Sequence, residues 1–380
     1  MDFTLSKEHE MARNLFRDFA EKEVKPLARE IDETEAFPKE TVEKMKKLGF
    51  LGIPIPKENG GQGCDTLTYV LCIEELSKVC GTTAVVVSAH TSLCEEPIRR
   101  FGTMEQKEKY LKPLAMGEKL GAFGLTEPNA GTDAAGQQTK AVLDGDEYVL
   151  NGSKVFITNG KEADIYIIFA MTDKSKGTKG ISAFIVEKGT PGFTFGTKEK
   201  KMGIRGSATY ELIFTDCRIP KENLLGNEGK GFSIAMQTLD RTRMSIGAAA
   251  VGVARRGLEE SIEYAKIRKQ FGKPIGQHQA IGFMLADMAT KVEAARCLVL
   301  LAASEIDAGR VDSKYGAMCK LYAGDIANEV AIDAVQIHGG YGYMKDYPVE
   351  KLMRDAKILQ IYEGTQQVQR MVISGSILAE

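Results

Sequence analysis

The stretch EYVLNGSKVFITNGKEADIYIIF, residues 147–169, decides the fold class. Its β-rich runs, Glu147 to Leu150 and Ile165 to Phe169, are parted by the turn signals Asn151-Gly152 and Asn159-Gly160. Further strands follow at Ile181 to Val186 and Tyr210 to Phe214, with Asp144-Gly145 and Thr190-Pro191-Gly192 as further turns. No helical pattern of ten or more residues falls between successive strands. This argues against alternating βαβ units, and with them against a Rossmann domain. The region between about Gly121 and Lys230 reads as a compact antiparallel β-domain.

Helical punctuation flanks this region on both sides. The charged opening, Asp2 to Glu23, is helix-forming. A bounded helix runs from Pro38, tolerated in a first turn, to Leu48, with Gly49 as its C-cap. Thr103-x-x-Gln106 ahead of Tyr110 and Leu111 has the form of a capping box, and the Gly-rich 59–63 segment is a loop. Beyond Gly231, Ile281, Leu285, Met288, Val292, Ala295, Val299 and Ala302 step by four and three, the apolar face of one long helix. With comparable stretches from Phe232 to Lys266, Ser313 to Val335 and Lys351 to Ser374, four helices predict a bundle. The fold class is therefore α+β: an N-terminal helical domain (1–120), a central antiparallel β-domain (121–231) and a C-terminal four-helix bundle (232–380).

Composition narrows the partners. With 50 basic and 52 acidic residues among 380, the net charge of -2 gives no electrostatic footprint for nucleic acid or an anionic membrane. Small molecules and proteins remain. The seven cysteines form no CxxC pair and are odd in number, against a zinc site or a disulfide framework; they read as buried thiols in a reducing compartment. No signal peptide or transmembrane-length apolar run is visible, so the expected setting is the cytoplasm, or that of a mature chain already stripped of its address. The methionines of the helical faces read as core filling.

Three segments carry chemistry. In Ile361-Tyr362-Glu363-Gly364-Thr365 a carboxylate sits among apolar residues and is followed at once by glycine. Burial there would raise its pKa toward that of a working base; the alternative is a helix-terminal glutamate beside a C-terminal glycine. The segment from Phe123 through Glu127 to Asp133 offers hydroxyls, small residues and backbone N–H groups for a polar ring edge or a phosphate. In Lys154 to Gly160, Phe156 and Thr158 stand two positions apart on one face of a strand, where a flat heterocycle could lie; the alternative for Phe156 is a core aromatic. Gly339-Gly340-x-Gly342 lacks the flanking strand and helix of a phosphate fingerprint.

These segments, in this order, closely resemble the acyl-CoA dehydrogenase family over essentially the whole chain. Phe123 to Asp133 looks like the family's flavin loop, Phe156-Ile157-Thr158 like its flavin wall, and Asp240-Arg241-Thr242-Arg243 like its acyl-CoA segment. Arg268-Lys269-Gln270-Phe271-Gly272 and Gln336-Ile337-His338-Gly339-Gly340 resemble the regions that hold the FAD diphosphate and adenosine across a subunit boundary. Tyr362-Glu363-Gly364-Thr365 matches the catalytic-base motif.

The resemblance implies FAD held between the three domains of a homotetramer, a dimer of dimers. Phe123, Leu125 and Thr126 would lie against the isoalloxazine, Phe156 and Ile157 at its wall, and Thr158 near its N5 edge. Gly131 and Thr132 would sit near the cofactor or the pantetheine and phosphate portion of CoA. Arg268 would neutralise the diphosphate, with Gln270, Phe271, Gln279, Thr365 and Gln367 as further FAD contacts. Asp240 and Arg243 would meet the nucleotide and pantetheine end of the substrate, with Tyr362 and Gly364 beside it.

An acyl-CoA thioester has a weakly acidic α-hydrogen, so the implied reaction needs a base on one face, Glu363, and a hydride acceptor on the other, flavin N5. The backbone N–H of Glu363 and a ribityl hydroxyl would stabilise the thioester oxygen. Two departures stand out: Phe156 occupies a position where many relatives carry tryptophan, and Thr132 replaces a serine. Some branches carry the base where Thr242 stands, and threonine cannot take that role. The expected substrate is a short-chain acyl-CoA, butyryl-CoA interconverted with crotonyl-CoA, with Val85 to Cys94 at the floor of the acyl pocket. The expected electron partner is an electron-transferring flavoprotein. A different chain length, a same-fold flavin monooxygenase or oxidase, and a non-catalytic helical scaffold are the competing readings.

Overall fold

In the computed structural model, which describes residues 5–379, helices fill both ends of the chain and strands its middle. The N-terminal part holds α1 (Lys7–Phe19), α2 (Lys25–Thr34), α3 (Lys39–Lys47), α4 (Thr66–Val79), α5 (Gly81–Ser88), α6 (Glu96–Phe101), α7 (Met104–Gln106) and α8 (Lys112–Ala115). Residues 2–4 of the expected helical opening lie outside the described residues. α3 begins directly after Pro38 and leaves through Gly49 at φ 73°, a left-handed exit suited to glycine. At α7 the capping box closes both ways: Thr103 Oγ1 accepts from Gln106 N at 3.2 Å, and Gln106 Oε1 accepts from Thr103 N at 3.1 Å.

Eight strands form the middle: β1 (Gly121–Gly124), β2 (Lys140–Asp144), β3 (Glu147–Thr158), β4 (Ile165–Met171), β5 (Ile181–Glu187), β6 (Phe193–Lys198), β7 (Thr209–Pro220) and β8 (Leu224–Leu225). They pair in the order β6-β7-β3-β2-β4-β5-β8, with β1 also on β4. Most ladders are antiparallel, but β1 and β2 meet β4 in parallel. β4 is buried on both faces, as its unbroken apolar run demands. Ile165, Ile167 and Phe169 pack toward Tyr110, Leu114 and the helix that follows β8, while Tyr166 and Ile168 pack with Phe184, Phe193 and Phe214. The turn expected at Asn151-Gly152 is instead the interior of β3. An extra residue on β7 makes a bulge between the Leu150–Cys217 and Gly152–Phe214 pairs. Gly152 serves close packing there, because a Cβ on it would lie 2.5 Å from Thr139 Oγ1.

The C-terminal part holds α9 (Gly231–Ile267), a small hairpin of β9 (Lys269–Gln270) and β10 (Lys273–Pro274), α10 (Gln279–Asp307), α11 (Ser313–His338), α12 (Val349–Ile358) and α13 (Gln366–Ala379). α10 buries Met288, Val292, Ala295, Val299 and Ala302, the predicted face. One expectation fails: Lys351 to Ser374 is two helices rather than one. Glu363 at φ 51° and Gly364 at φ 93° cannot continue an α-helix, and the chain between α12 and α13 becomes a turn closed by Gln366 N donating to Gln360 O at 3.1 Å.

α4 and α9 weld the two helical parts. Ser77 Oγ donates to Ala249 O at 2.7 Å, and a Cβ on Gly252 would lie 2.4 Å from Glu74 O. Buried Glu75 accepts from Arg13 of α1 and Arg255 of α9 there. Of the cysteines, Cys64 is exposed and Cys297 partly so, against the expectation of buried thiols; the other five are buried. No helix among the described residues is long and apolar enough to cross a membrane.

Candidate active site

β1, β3, the first third of α9 and the turn between α12 and α13 enclose a cavity of about 590 Å³. Phe123, Leu125, Thr126, Gly131 and Thr132 line it from the end of β1 and the loop beyond. Phe156, Ile157 and Thr158 line it from β3, and Arg243, Tyr362, Glu363 and Gly364 from the helical side. Val85, Ala89 and Leu93 reach it from α5 and the π-helical turn Ala89–Glu95.

A second bulge in β3 presents the aromatic wall. Between the Lys154–Leu212 and Ile157–Tyr210 pairs, two residues of β3 oppose one of β7, and Phe156 takes φ 61°. Phe156 is 64% exposed, so it is no core aromatic. Behind it Lys154 is fully buried; Nζ donates to Glu127 Oε1 at 2.7 Å, Gln137 Oε1 at 3.0 Å and Leu125 O at 3.2 Å. This ion pair ties the loop after β1 to β3. Burial pushes the Lys154 ammonium down to about 8 against the pull of Glu127.

Glu363 is half-buried, its carboxylate facing the cavity and otherwise surrounded by protein. That burial pushes its pKa up, opposed by a hydrogen bond from Thr242 Oγ1 to Oε2 at 2.6 Å and by the charges of Lys320 and Arg243. Its backbone is fixed from below. Gln369, fully buried on α13, donates to Glu363 O at 3.2 Å and Gly364 O at 2.9 Å, and Lys320 Nζ donates to Gly364 O at 2.7 Å. The Glu363 N–H itself meets no acceptor among the described residues. Asp240 lies behind Arg243 and accepts from its Nη1 at 2.6 Å.

Arg268, Gln270, Ile337, His338, Gly339 and Gly340 come together elsewhere, in a groove of about 540 Å³ at the far end of α9. Arg243 and Arg268 stand 25 residues apart on and just past one helix, about 37 Å at a rise of about 1.5 Å per residue. The Arg268 guanidinium lies 5.5 Å over the Tyr341 ring and forms no ion pair among the described residues. His338 stacks on Tyr264 at 4.2 Å; its Nδ1 donates to Ala334 O at 2.8 Å, leaving Nε2 buried without a partner. Phe271, Gln279, Gln336 and Gln367 are exposed, and Thr365 is partly so; none lines either space.

The residues fit FAD. An exposed aromatic ring, the hydroxyls of Thr126 and Thr158 and an apolar wall suit a flat heterocycle. An unpaired arginine beside an orphaned histidine nitrogen suits a diphosphate and nucleoside. One important residue, Lys320, belongs to no motif; a lysine in phase with buried Gly316, Ala323 and Ala327 was the available signal.

Three family models match in chain order: the acyl-CoA dehydrogenase N-terminal domain at residues 6–118, the middle domain at 122–217 and the C-terminal domain at 229–378. The chain belongs to the acyl-CoA dehydrogenase family, whose members depend on FAD. Among individual proteins it is similar to the short-chain specific acyl-CoA dehydrogenase of Clostridium acetobutylicum, 58% identical over 377 residues, covering 99% of this chain and 100% of that one. The acryloyl-CoA reductase (NADH) of Anaerotignum propionicum is 53% identical over 100% of this chain and 96% of its own. The structure of butyryl-CoA dehydrogenase from Megasphaera elsdenii superposes with a TM-score of 0.98 and 53% identity over 100% of both chains. A chain from work on the electron transferring flavoprotein of Acidaminococcus fermentans and flavin-based electron bifurcation reaches 0.99 with 56% identity, again over 100% of both.

Proposed function

We propose that this enzyme interconverts butyryl-CoA and crotonyl-CoA, with Glu363 as the base that moves the α-proton. The observation that carries the proposal is a carboxylate of raised pKa facing a cavity whose opposite residues suit a flavin. A carboxylate whose pKa burial has raised is a stronger base than one in water. Thr242 Oγ1 holds it in place by its hydrogen bond, and the free Glu363 N–H is available to the thioester oxygen as negative charge develops there. Gly364 lets the chain pass close to the thioester. Bound FAD would supply the two-electron acceptor for the β-hydrogen. Phe123, Leu125, Thr126, Phe156 and Thr158 would hold its ring system.

Arg268 stands about 37 Å along α9 from Arg243 at the flavin cavity, too far for one FAD bound within a single chain to reach both spaces. The second groove would therefore serve the neighbouring chain's FAD, in a homotetramer built as a dimer of dimers. Electrons would be exchanged with an electron-transferring flavoprotein, as the work on the Acidaminococcus protein supports. The free cysteines fit a reducing compartment such as the cytoplasm. Similarity to the acryloyl-CoA reductase is compatible with net flow toward crotonyl-CoA reduction as well as toward butyryl-CoA oxidation.

The purified protein is expected to be yellow and to be bleached anaerobically by butyryl-CoA. Glu363→Gln should keep FAD and bind substrate, but lose flavin reduction by roughly a thousandfold. A colourless preparation that takes up no added FAD would sink the proposal. Near-normal reduction in the Glu363→Gln variant would move the base elsewhere.

A further inference from the structure

Lys320 stands fully buried on α11, directly beneath the turn that carries Glu363. Its two hydrogen-bond acceptors, Gly364 O at 2.7 Å and Gln366 Oε1 at 3.2 Å, are both neutral. A buried ammonium without a bonded carboxylate is unfavourable unless a negative charge lies near. The surrounding charges show which one answers it. On α9, Arg243 is paired with Asp240 at 2.6 Å. On α11, Asp325 accepts from Gln360 and Gln366 and is joined by Arg370 of α13 at 3.5 Å. Tyr69 of α4 and Tyr362 of the turn also face Glu363, and burial pushes both phenols up, so they stay neutral. With Arg243 and Asp325 matched elsewhere, Lys320 and Glu363 remain as complementary charges.

We propose that Lys320 is the positioning residue of the base: its ammonium pins the Glu363-Gly364 backbone and supplies the positive charge that keeps the Glu363 carboxylate ionised for proton transfer. The inference rests on the reading of Glu363 as the base. The directions of titration agree with it. Burial pushes Lys320 down to about 8, and Glu363 is the first charge opposing that shift. Conversely, the burial that raises Glu363 is opposed by the Thr242 hydrogen bond, then by Lys320, ahead of Arg243. Gln366 and Gln369 hold the same turn but carry no charge, so among the side chains bonded to the turn's backbone only Lys320 adds a charge.

The test compares wild type, Lys320→Met, Lys320→Gln and Lys320→Arg as FAD-loaded enzymes, following anaerobic flavin reduction by butyryl-CoA from about pH 5 to about pH 9, a window that spans the directions of both shifts. Removing the charge should move the acid limb of the rate profile upward by about one pH unit. On the acid limb the Lys320→Met variant should then be about tenfold slower than wild type, with much of the loss recovered at high pH. Arginine should restore the wild-type limb. Glutamine keeps a donor for Gly364 O without the charge; its limb should shift as in the methionine variant, and it decides the matter if the methionine variant fails to retain FAD. An unmoved limb in the uncharged variants, whether or not the rate falls uniformly, overturns the proposal. Glu363→Gln run alongside separates the two claims. Near-normal reduction there sinks the base assignment and this one with it, whereas an inactive Glu363→Gln enzyme with an unmoved limb in the Lys320 variants sinks only the role of Lys320.

Discussion

Glu95 carries a carboxylate into the interior beside the cavity with a single nitrogen for company. His90 Nδ1 accepts from Gly121 N at 2.9 Å, which assigns the ring proton to Nε2, 3.3 Å from Glu95 Oε1. Neither carboxylate oxygen completes a hydrogen bond, and both residues are fully buried. Burial pushes the carboxyl up to about 7 against the attraction of His90. Because the folded-state pKa is raised, the acid is neutral and harmless below its ordinary value, and stability is lost as pH climbs from there through about 7. Glu95→Gln is therefore expected to stabilise the fold at about pH 8, by roughly 3 kcal/mol at most, and to change nothing at about pH 4. Calorimetry at the two pH values checks it; equal midpoints for variant and wild type at the higher pH would show that the charge is answered by a partner. No local pattern advertises this pair, since a histidine and a glutamate five positions apart look like surface residues until the π-helical turn folds both inward.

At the scale of elements, the turn between α12 and α13 is held by glycine geometry and by side chains from outside it. Gly364 stands at φ 93°, and a Cβ there would lie 2.7 Å from Gln369 Nε2, the atom that bonds the Glu363 and Gly364 carbonyls. Gly364→Ala should strain the backbone by about 1 to 2 kcal/mol and displace that glutamine. We expect flavin reduction at least about tenfold slower in stopped-flow traces, with FAD content preserved. A variant as fast as wild type would show that the turn tolerates a shift. The same turn marks where sequence periodicity misleads. Val349, Leu352, Ala356, Leu359, Gln366 and Gln369 are buried at intervals that continue one helical phase across the break, so periodicity alone predicts an uninterrupted helix. What holds the break, Lys320 on α11, is 44 residues away from the carbonyl it binds. α3 and α7 were legible because Pro38, Gly49, Thr103 and Gln106 act within a turn or two of themselves. Asn151-Gly152 was misleading for the opposite reason, because its glycine answers a neighbouring segment at Thr139. The cavity residues of β1 and β3 could be named from their motifs, while the bulge that presents Phe156 depends on the register with β7.

At the scale of the whole molecule, Glu363 and the unpaired Arg268 lie toward opposite ends of a 37-residue helix. In the arrangement proposed above, the protein should sediment as a homotetramer. Arg268→Ala should bind FAD at least about tenfold more weakly while leaving its own cavity intact, the order expected for a lost charge-assisted hydrogen bond. Titration of the apoprotein with FAD measures this, and an unchanged affinity would place the diphosphate elsewhere. The length of α9 then has a consequence for damage and its inheritance. In that arrangement a chain altered at Arg268 would spoil its neighbour's centre and keep its own proposed base, whereas a chain altered at Glu363 would spoil only itself. Blended in one assembly, the two lesions can cover for each other, because some centres receive both sound halves. Fitness of a variant thus belongs to the company it assembles with as much as to its own sequence.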